Sequence, residues 1–447
     1  MKLSKDIEVK LQKFKQDKRA YISFLLLLFA FVVTLPTELI CNIRPLLLVV
    51  DGKPYFPIFF RYSEKDFGGT LPSEPDYKSE TFIRLLEGNP ASRDSHQSTD
   101  NSGKKLSFNN RKLIDNNKSF TLDIDDFEDD ESATAKEPPP AFDLGLDDFE
   151  EEEEPGASDP APTPEGRINA AGNAPRGAPR DYWIVWPPVR YDYKYIPTQS
   201  KTGTVVLAAP YSISEGGQTL ASSWEDGHYL GTDDRGRDVL ARLIYGFRIS
   251  LIFGLSLAIT GTLLGCLIGG VQGYFGGWVD LIGQRLTEIW GSIPRLYILI
   301  ILSSFLVPSA LLLFLILNLT AWMGIAAYIR AEFLKTRNME YVKAAKAMGV
   351  SDFEIMRRHI LPNSLTPVVT FFPFEVTAGI LALVALDYLN LGVPSPAPSM
   401  GELLAQGKAN LQATWIILPT FLALTTTLTL LTFFGEGIRN AFDPKKI

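Results

Sequence analysis

Thirty-four consecutive residues, Leu296–Ile329, carry no charged side chain. Ile249–Val279 is likewise uncharged over 31 residues and Ala409–Gly435 over 27. A helix that crosses a bilayer needs roughly 20 mostly apolar residues, and runs this long are hard to place in the core of a soluble protein. Thirty-four residues exceed one crossing, and Val307-Pro308-Ser309 interrupts them. Two helices are therefore expected, 286–307, with Arg295 tolerated near one end, and 309–329. Two further apolar stretches each contain a single acid: Tyr21–Ile40 with Glu38, and Thr366–Leu386 with Glu375. The expected fold is an all-α polytopic membrane protein with six transmembrane helices, at 21–40, 249–271, 286–307, 309–329, 366–386 and 415–434.

Lysine and arginine next to the spans set their orientation. Seven bases and three acids precede Tyr21, and 330–362 has seven bases against four acids. In 387–414 the only base is Lys408. Six crossings that start inside put both termini and 330–362 in the cytoplasm, and leave 41–240 largely periplasmic. Residues 1–20 form a basic leader in which Leu3, Ile7, Leu11 and Phe14 recur at near-helical spacing. That suits a helix lying on the inner membrane face, or an ordinary solvated leader.

The composition, 46% apolar and 21% charged, resembles that of a soluble protein only because charge is unevenly placed. Residues 121–154 hold 16 acids and one lysine; removing them leaves 35 acids against 42 bases and turns net −8 into +7. The remaining bases are scattered among apolar spans, which disfavours a nucleic-acid partner. Residues 87–180, rich in Asn, Ser, Asp, Glu, Pro, Gly and Ala, cannot bury enough apolar surface to order themselves. Ile124-Asp-Asp-Phe-Glu128 and Leu146-Asp-Asp-Phe-Glu150 repeat inside this stretch, as a docking pentamer or as chance within a solvated linker. Flanking it, 41–86 and 181–230 are mixed and aromatic, and Asp51-Gly52 reads as a turn between short strands. A small external cap interrupted by a disordered acidic insertion is the expected arrangement.

No Gly-x4-Gly-Lys-Ser/Thr, Gly-x-Ser-x-Gly or His-Glu-x-x-His occurs, so neither a nucleotide site nor a catalytic centre is expected in this chain. Two cysteines and three distant histidines offer no metal or redox pair. The informative segment is 340–362. Tyr341, Ala344, Ala345 and Met348 fall at i, i+3, i+4 and i+7, one face of a short helix. Gly349 suits the left-handed residue that ends it. Ser351 and Glu354 form a capping box opening a second helix. Phe353, Met356 and Ile360 share a side of that helix, and Pro362 stops it. Such a helix-turn-helix is shaped either to be gripped by another protein or to pack on its own bundle. Glu375 marks a possible intramembrane polar site, because an ionisable group in a span is costly. Asp387 reads as an ordinary outer-surface residue, and the Gly-rich 261–277 as a close-packing stripe.

The pattern Lys343-Ala-Ala-x3-Gly349-x9-His359-Ile-Leu361-Pro362 resembles the coupling loop of ABC importer permeases, although Lys343 stands where that family often has Glu. Gly231-Thr-Asp-Asp-Arg-Gly-Arg-Asp238 through Ser250 is similar to a segment of dipeptide/oligopeptide permeases. Arg44-Pro-Leu-Leu, Trp186-Pro-Pro, Gly401-Glu-Leu-Leu-Ala-Gln-Gly-Lys408 and Gly435-Glu436 resemble the microcin C permease branch. The resemblance covers 20–86 and 181–447, with 231–447 as the permease core. It implies half of a pore for oligopeptides or microcin C-like peptides, paired with a second permease subunit. ABC ATPase subunits that bind ATP and magnesium, and a periplasmic peptide-binding protein, are the other implied partners. Glu340, Tyr341, Ala344, Ala345, Met348, Gly349, Ser351, Glu354, Leu361 and Pro362 would form the ATPase-coupling loop. The alternative, an ion- or proton-driven secondary transporter, would show inverted repeats with broken helices.

Overall fold

The computed structural model describes residues 5–87, 180–197, 200, 203–215, 218–307 and 309–442. Leu3, both acidic pentamers with nearly all of the expected insertion, and the terminal Lys445-Lys446 lie outside these residues.

The chain opens with α1 (Lys5–Gln16) and α2 (Lys18–Thr34), separated by Asp17, whose carboxylate accepts the Ala20 N–H at the start of α2. A short α3 (Thr37–Ile40) leads to a hairpin of β1 (Leu47–Val50) and β2 (Lys53–Tyr55). Asp51 and Gly52 turn it with φ of 51° and 75°, the left-handed pair that a two-residue hairpin requires. After α4 (Glu80–Leu86), β3 (Tyr182–Val185) pairs antiparallel with the other edge of β1, with Leu48 opposite Ile184. Leu48, Val50, Phe67, Tyr77, Phe82 and Leu86 fill the space beneath this sheet. Strands β4 (Ile213–Glu215) and β5 (Gln218–Leu220) form a separate hairpin.

The remainder is helical. It comprises α5 (Val239–Phe275), α6 (Gly277–Gly291), α7 (Arg295–Phe305), α8 (Ala310–Ala321) and α9 (Met323–Thr336). Then come α10 (Glu340–Ala347), α11 (Asp352–Glu354), a π-helical turn (Ile355–Ile360), α12 (Leu361–Tyr388), α13 (Met400–Ala409) and α14 (Thr414–Phe442). Among the described residues, four helical stretches are long and apolar enough to cross a membrane: Val239–Phe275, Ala310–Thr336, Asp352–Tyr388 and Thr414–Phe442.

Three elements depart from the sequence expectation. In place of 21–40, α2 stops at Thr34 with Leu35 as its cap, because Pro36 has no N–H to continue the helical bonding. The stretch 286–307 is divided between α6 and α7. The break falls at Ser292–Pro294, where proline has no N–H to donate and holds Ile293 out of the helical region. Pro362 does not stop a helix. The chain runs helically from Asp352 to Tyr388, and Pro362 sits in the first turn of α12, just after the π turn.

The glycines of α5 set its closest contact. A Cβ at Gly265 would lie 2.8 Å from the Ile325 Cβ, at Gly269 2.3 Å from the Ala326 carbonyl, and at Gly273 2.6 Å from the Arg330 carbonyl. Helices α5 and α9 therefore approach backbone to backbone, as the small-residue stripe implies.

Candidate functional site

Helix α10 and the stretch from α11 through the π turn form a bent pair joined at Gly349, which takes φ +79°. Ser351 accepts the Glu354 N–H and opens the second arm. Val342 and Ala345 point inward, and with Ile355, Ile360, Ile329, Phe333, Tyr274 and Val368 they build one continuous core. Ala345 thus leaves the expected outer face. Tyr341, Ala344 and Met348 remain exposed along α10, with Met348 76% exposed. Glu340 is exposed and pairs with Lys343 at 3.3 Å. Phe353 projects outward at 68% exposure, while Leu361 is half-buried and Pro362 exposed.

The second arm does not present Phe353, Met356 and Ile360 on one side. Its inward residues are Ile355 and Ile360, both fully buried. A π turn bonds i to i+5, so side chains five apart align where an α-helix would align those three or four apart. Burying both isoleucines contributes about 1.5–3 kcal/mol each, enough to hold the pair as a unit on the bundle.

Polar ties reinforce that seat. The Tyr274 hydroxyl near the end of α5 donates to Asp352 Oδ1 at 2.5 Å. Arg337 Nη1 donates to the Tyr274 carbonyl at 3.2 Å, closing the C-terminal turn of α5. Arg330 on α9 engages Asp280 on α6 through two nitrogens, Nη2 at 2.7 Å. The bent pair is thus bonded to α5, shares its core with α9 and runs on into α12.

A second polar centre lies at the other end of α5, about 55 Å away for a straight helix of this length. Asp233 is fully buried. It accepts the Arg237 N–H at 2.8 Å and Arg237 Nε at 2.7 Å, and faces Arg242 Nε at 3.4 Å. Glu402 on α13 closes the cluster, against Arg237 at 3.2 Å and Arg242 at 2.5 Å. Burial works against the Arg237 charge, but Asp233 and Glu402 beside it hold its pKa above the ordinary value. Two arginines facing two carboxylates leave the buried cluster neutral, which a dry interior requires.

Asp387, expected at an outer surface, is instead 5% exposed. It accepts the Val393 N–H at 2.8 Å and the Ser399 hydroxyl, and Ser399 in turn accepts the Gly401 N–H that opens α13. Sequence reasoning missed this cluster, because its charges occur in two segments more than 140 residues apart.

Beside it, Asp238 caps α5 by accepting the Ala241 N–H, and its other carboxylate oxygen accepts from His228 Nδ1 at 2.8 Å. His228 stacks on Tyr191 at 3.9 Å, and Lys78 Nζ lies 3.4 Å from the centre of the Tyr191 ring. Burial pulls the Lys78 ammonium down to about 7. Lys78 belongs to the sheet-bearing segment, so this stack fastens that segment to the start of α5.

Glu375 lies midway along α12. It lines a cavity of about 180 Å³ with Thr262 and Gly261 of α5, Thr320 of α8, Gly324 of α9, and Ala378.

Residues 261–447 match the family described as binding-protein-dependent transport system inner membrane component. The chain is 36% identical over 447 residues to the peptidoglycan transport system permease protein YejE of Agrobacterium fabrum, covering 97% of this chain and 92% of that protein. It is 34% identical to the inner membrane ABC transporter permease protein YejE of Escherichia coli K12, covering 97% and 96%. The oligopeptide transport system permease protein OppC of Haemophilus influenzae is 36% identical over 228 residues, 51% of this chain and 73% of that one.

Proposed function

This chain belongs to the YejE-type family of binding-protein-dependent inner-membrane permeases, and from that membership we propose that it forms one half of an ATP-driven import pore for oligopeptides or related peptide-bearing molecules. The names of its relatives, which refer to peptidoglycan and oligopeptide transport, support the substrate class. Microcin C-like peptides belong to the same class. The other half is a second permease subunit, with ABC ATPase subunits below and a peptide-binding protein delivering cargo from the periplasm.

Six crossings complete the subunit. The four long helices supply four of them. Helix α2 makes another, since it exposes Leu25, Leu26, Phe29 and Val32 and buries only Ala20 and Ser23; an apolar surface of this extent needs lipid. The broken α6–α7 segment, exposing Leu296, Ile300, Ile301 and Phe305, makes the sixth. This topology puts the sheet-bearing segment outside as a cap and the bent pair 340–360 inside.

The observation that carries the mechanism is the seat of that pair. Its exposed face, Tyr341, Ala344, Met348 and Phe353, is presented to a partner, while its buried face is continuous with α5, α9 and α12. ATP binding closes the ATPase subunits, and the pair passes the displacement to these helices. Helices α5 and α12 run from the pair to the buried charge cluster, so motion at the inner end reaches the outer end. ATP and the binding protein shift the pore only as far as they bind its inward and outward states with different affinity. Reconstitution with the partner subunits in lipid vesicles tests this reading. The expected result is peptide uptake that requires ATP and the binding protein; uptake driven by an ion gradient without ATP would overturn it.

A further inference from the structure

The basic leader does not hang free of the bundle. Phe14 of α1 meets Phe24 of α2 edge-on at 6.2 Å and Phe434 of α14 at 5.9 Å, and Lys10 Nζ lies 5.0 Å from the centre of the Phe442 ring. Glycine at 437 lets this elbow close on α14, since a Cβ there would overlap the Ala20 Cβ and crowd the Phe14 ring. The elbow between α1 and α2, at Asp17, is therefore held in place by packing.

Three bases are exposed on it: Lys15 in the last turn of α1, and Lys18 and Arg19 in the first turn of α2. None of the three forms an ion pair among the described residues. Carboxylates share the neighbourhood. Asp17 is half-buried and accepts the Ala20 N–H, and Glu8 is exposed earlier on α1. Glu436 of α14 lines, with Lys18, Arg19 and Phe433, a cavity of about 500 Å³. Bases still prevail, with seven against three acids before Tyr21.

Apolar side chains stand next to these bases. Exposed Leu11 precedes Lys15 by four residues and so shares its face of α1. Exposed Ile22 follows Lys18 by four and opens the apolar surface that α2 continues with Leu25, Leu26 and Phe29. At the rise of an α-helix, Lys18 and Arg19 lie within about 6 Å of that surface along the axis. Cations at this depth beside an acyl-chain surface meet lipid headgroups, and attract anionic ones. A soluble polyanion would neutralise the bases but leave Leu11 and Ile22 uncovered.

We propose that Lys15, Lys18 and Arg19, held at the elbow of α1 and α2, form a docking surface for the headgroup of an anionic phospholipid whose acyl chains lie along α2. The proposal rests on the reading of α2 as a membrane crossing.

The test uses the complete transporter, purified in detergent with its partner subunits. Native mass spectrometry compares the first molecule bound of dioctanoyl phosphatidylglycerol with that of dioctanoyl phosphatidylcholine. Wild type is expected to favour phosphatidylglycerol. The triple variant Lys15→Gln, Lys18→Gln, Arg19→Gln is expected to lower that preference at least tenfold, a modest share of what three bases near a surface supply, with phosphatidylcholine affinity unchanged within about twofold. Glu436→Gln removes a repulsive carboxylate and is expected to raise the preference about twofold. Glycerol phosphate, an anion of the same kind without chains, is expected not to bind over the same concentrations. An unchanged preference in the triple variant, a fall in Glu436→Gln, or glycerol phosphate binding as tightly as the lipid would overturn the proposal. Loss of the ATPase subunit from the triple variant with its lipid preference intact would also overturn it, by assigning the bases to a protein partner. Leu26→Cys, in a chain whose Cys41 and Cys266 are serines, tests the premise separately. Its labelling by a water-soluble maleimide in lipid discs would remove the crossing, and the docking surface with it.

Discussion

Gly349 takes φ +79°, yet a Cβ built on it would meet nothing within 4 Å. A substitution there strains the backbone by about 1–2 kcal/mol without a clash, and projects its side chain beside exposed Met348. Gly349→Asp is therefore expected to reach the membrane at near wild-type levels while losing peptide-stimulated ATP hydrolysis and uptake more than tenfold. Immunoblotting of membranes alongside the two assays checks this, and normal uptake would place the docking face elsewhere. Lys78 gives a prediction of a different kind. Its folded pKa of about 7 lies below the ordinary 10.5, so the unfolded chain binds the extra proton between those values. Stability then rises with pH above about 7 and is lost as pH falls through it. Asp76, Asp238, Asp192 and Arg190 also act on this ammonium, and Tyr191 and Tyr195 form its floor. Melting of the purified protein between pH 7 and 9 is expected to show a gain of at most about 1.4 kcal/mol per pH unit, absent in Lys78→Met. An identical slope in that variant would mean another group titrates.

The buried charge cluster makes the next test one of helix against helix. Glu402→Leu alone strands Arg242 and Arg237 beside a single carboxylate, a loss of about 3–5 kcal/mol for a buried pair broken on one side. Arg242→Met with Glu402→Leu removes both members, and is expected to recover more than half of that loss in a thermal melt. Strict additivity would show that the two side chains do not act as a pair. Much of the element plan was legible because its signals are local. The left-handed Gly349, the Ser351 cap and the Asp51-Gly52 turn each depend on a few adjacent residues, and the four long spans on composition alone. The π turn was not legible. Residues Ile355–Ile360 have no composition that distinguishes i+5 from i+4 bonding, so Phe353 was assigned to a face it does not occupy. Pro362 reads as a stop because proline removes an i to i−4 bond from an α-helix, whereas here it directly follows a turn bonded i to i+5 inside a helix that runs on. The partnership of Asp233, Arg237 and Arg242 with Glu402, and the burial of Asp387, arise only when distant segments meet. From sequence only Asp387 is given a place, at an outer surface.

Two long rods, α5 and the continuous helix from Asp352 to Tyr388, each begin or end at the bent pair and reach the buried charge cluster at their other ends. Helix α5 carries Tyr274 against Asp352 at one terminus and the Asp238 cap at the other; the second rod runs from Asp352 itself to Asp387. If this is how the subunit works, the outward tip of the pair must rest on the ATPase. Met348, 76% exposed at the bend, is the place to look. With Cys41 and Cys266 replaced by serine and Met348 by cysteine, the assembled transporter is treated with a short bifunctional thiol reagent, with and without ATP. A crosslink to the ATPase subunit whose yield changes with nucleotide is the expected result. Labelling of that cysteine by a membrane-impermeant reagent from the periplasmic side, with no crosslink in either condition, would contradict it.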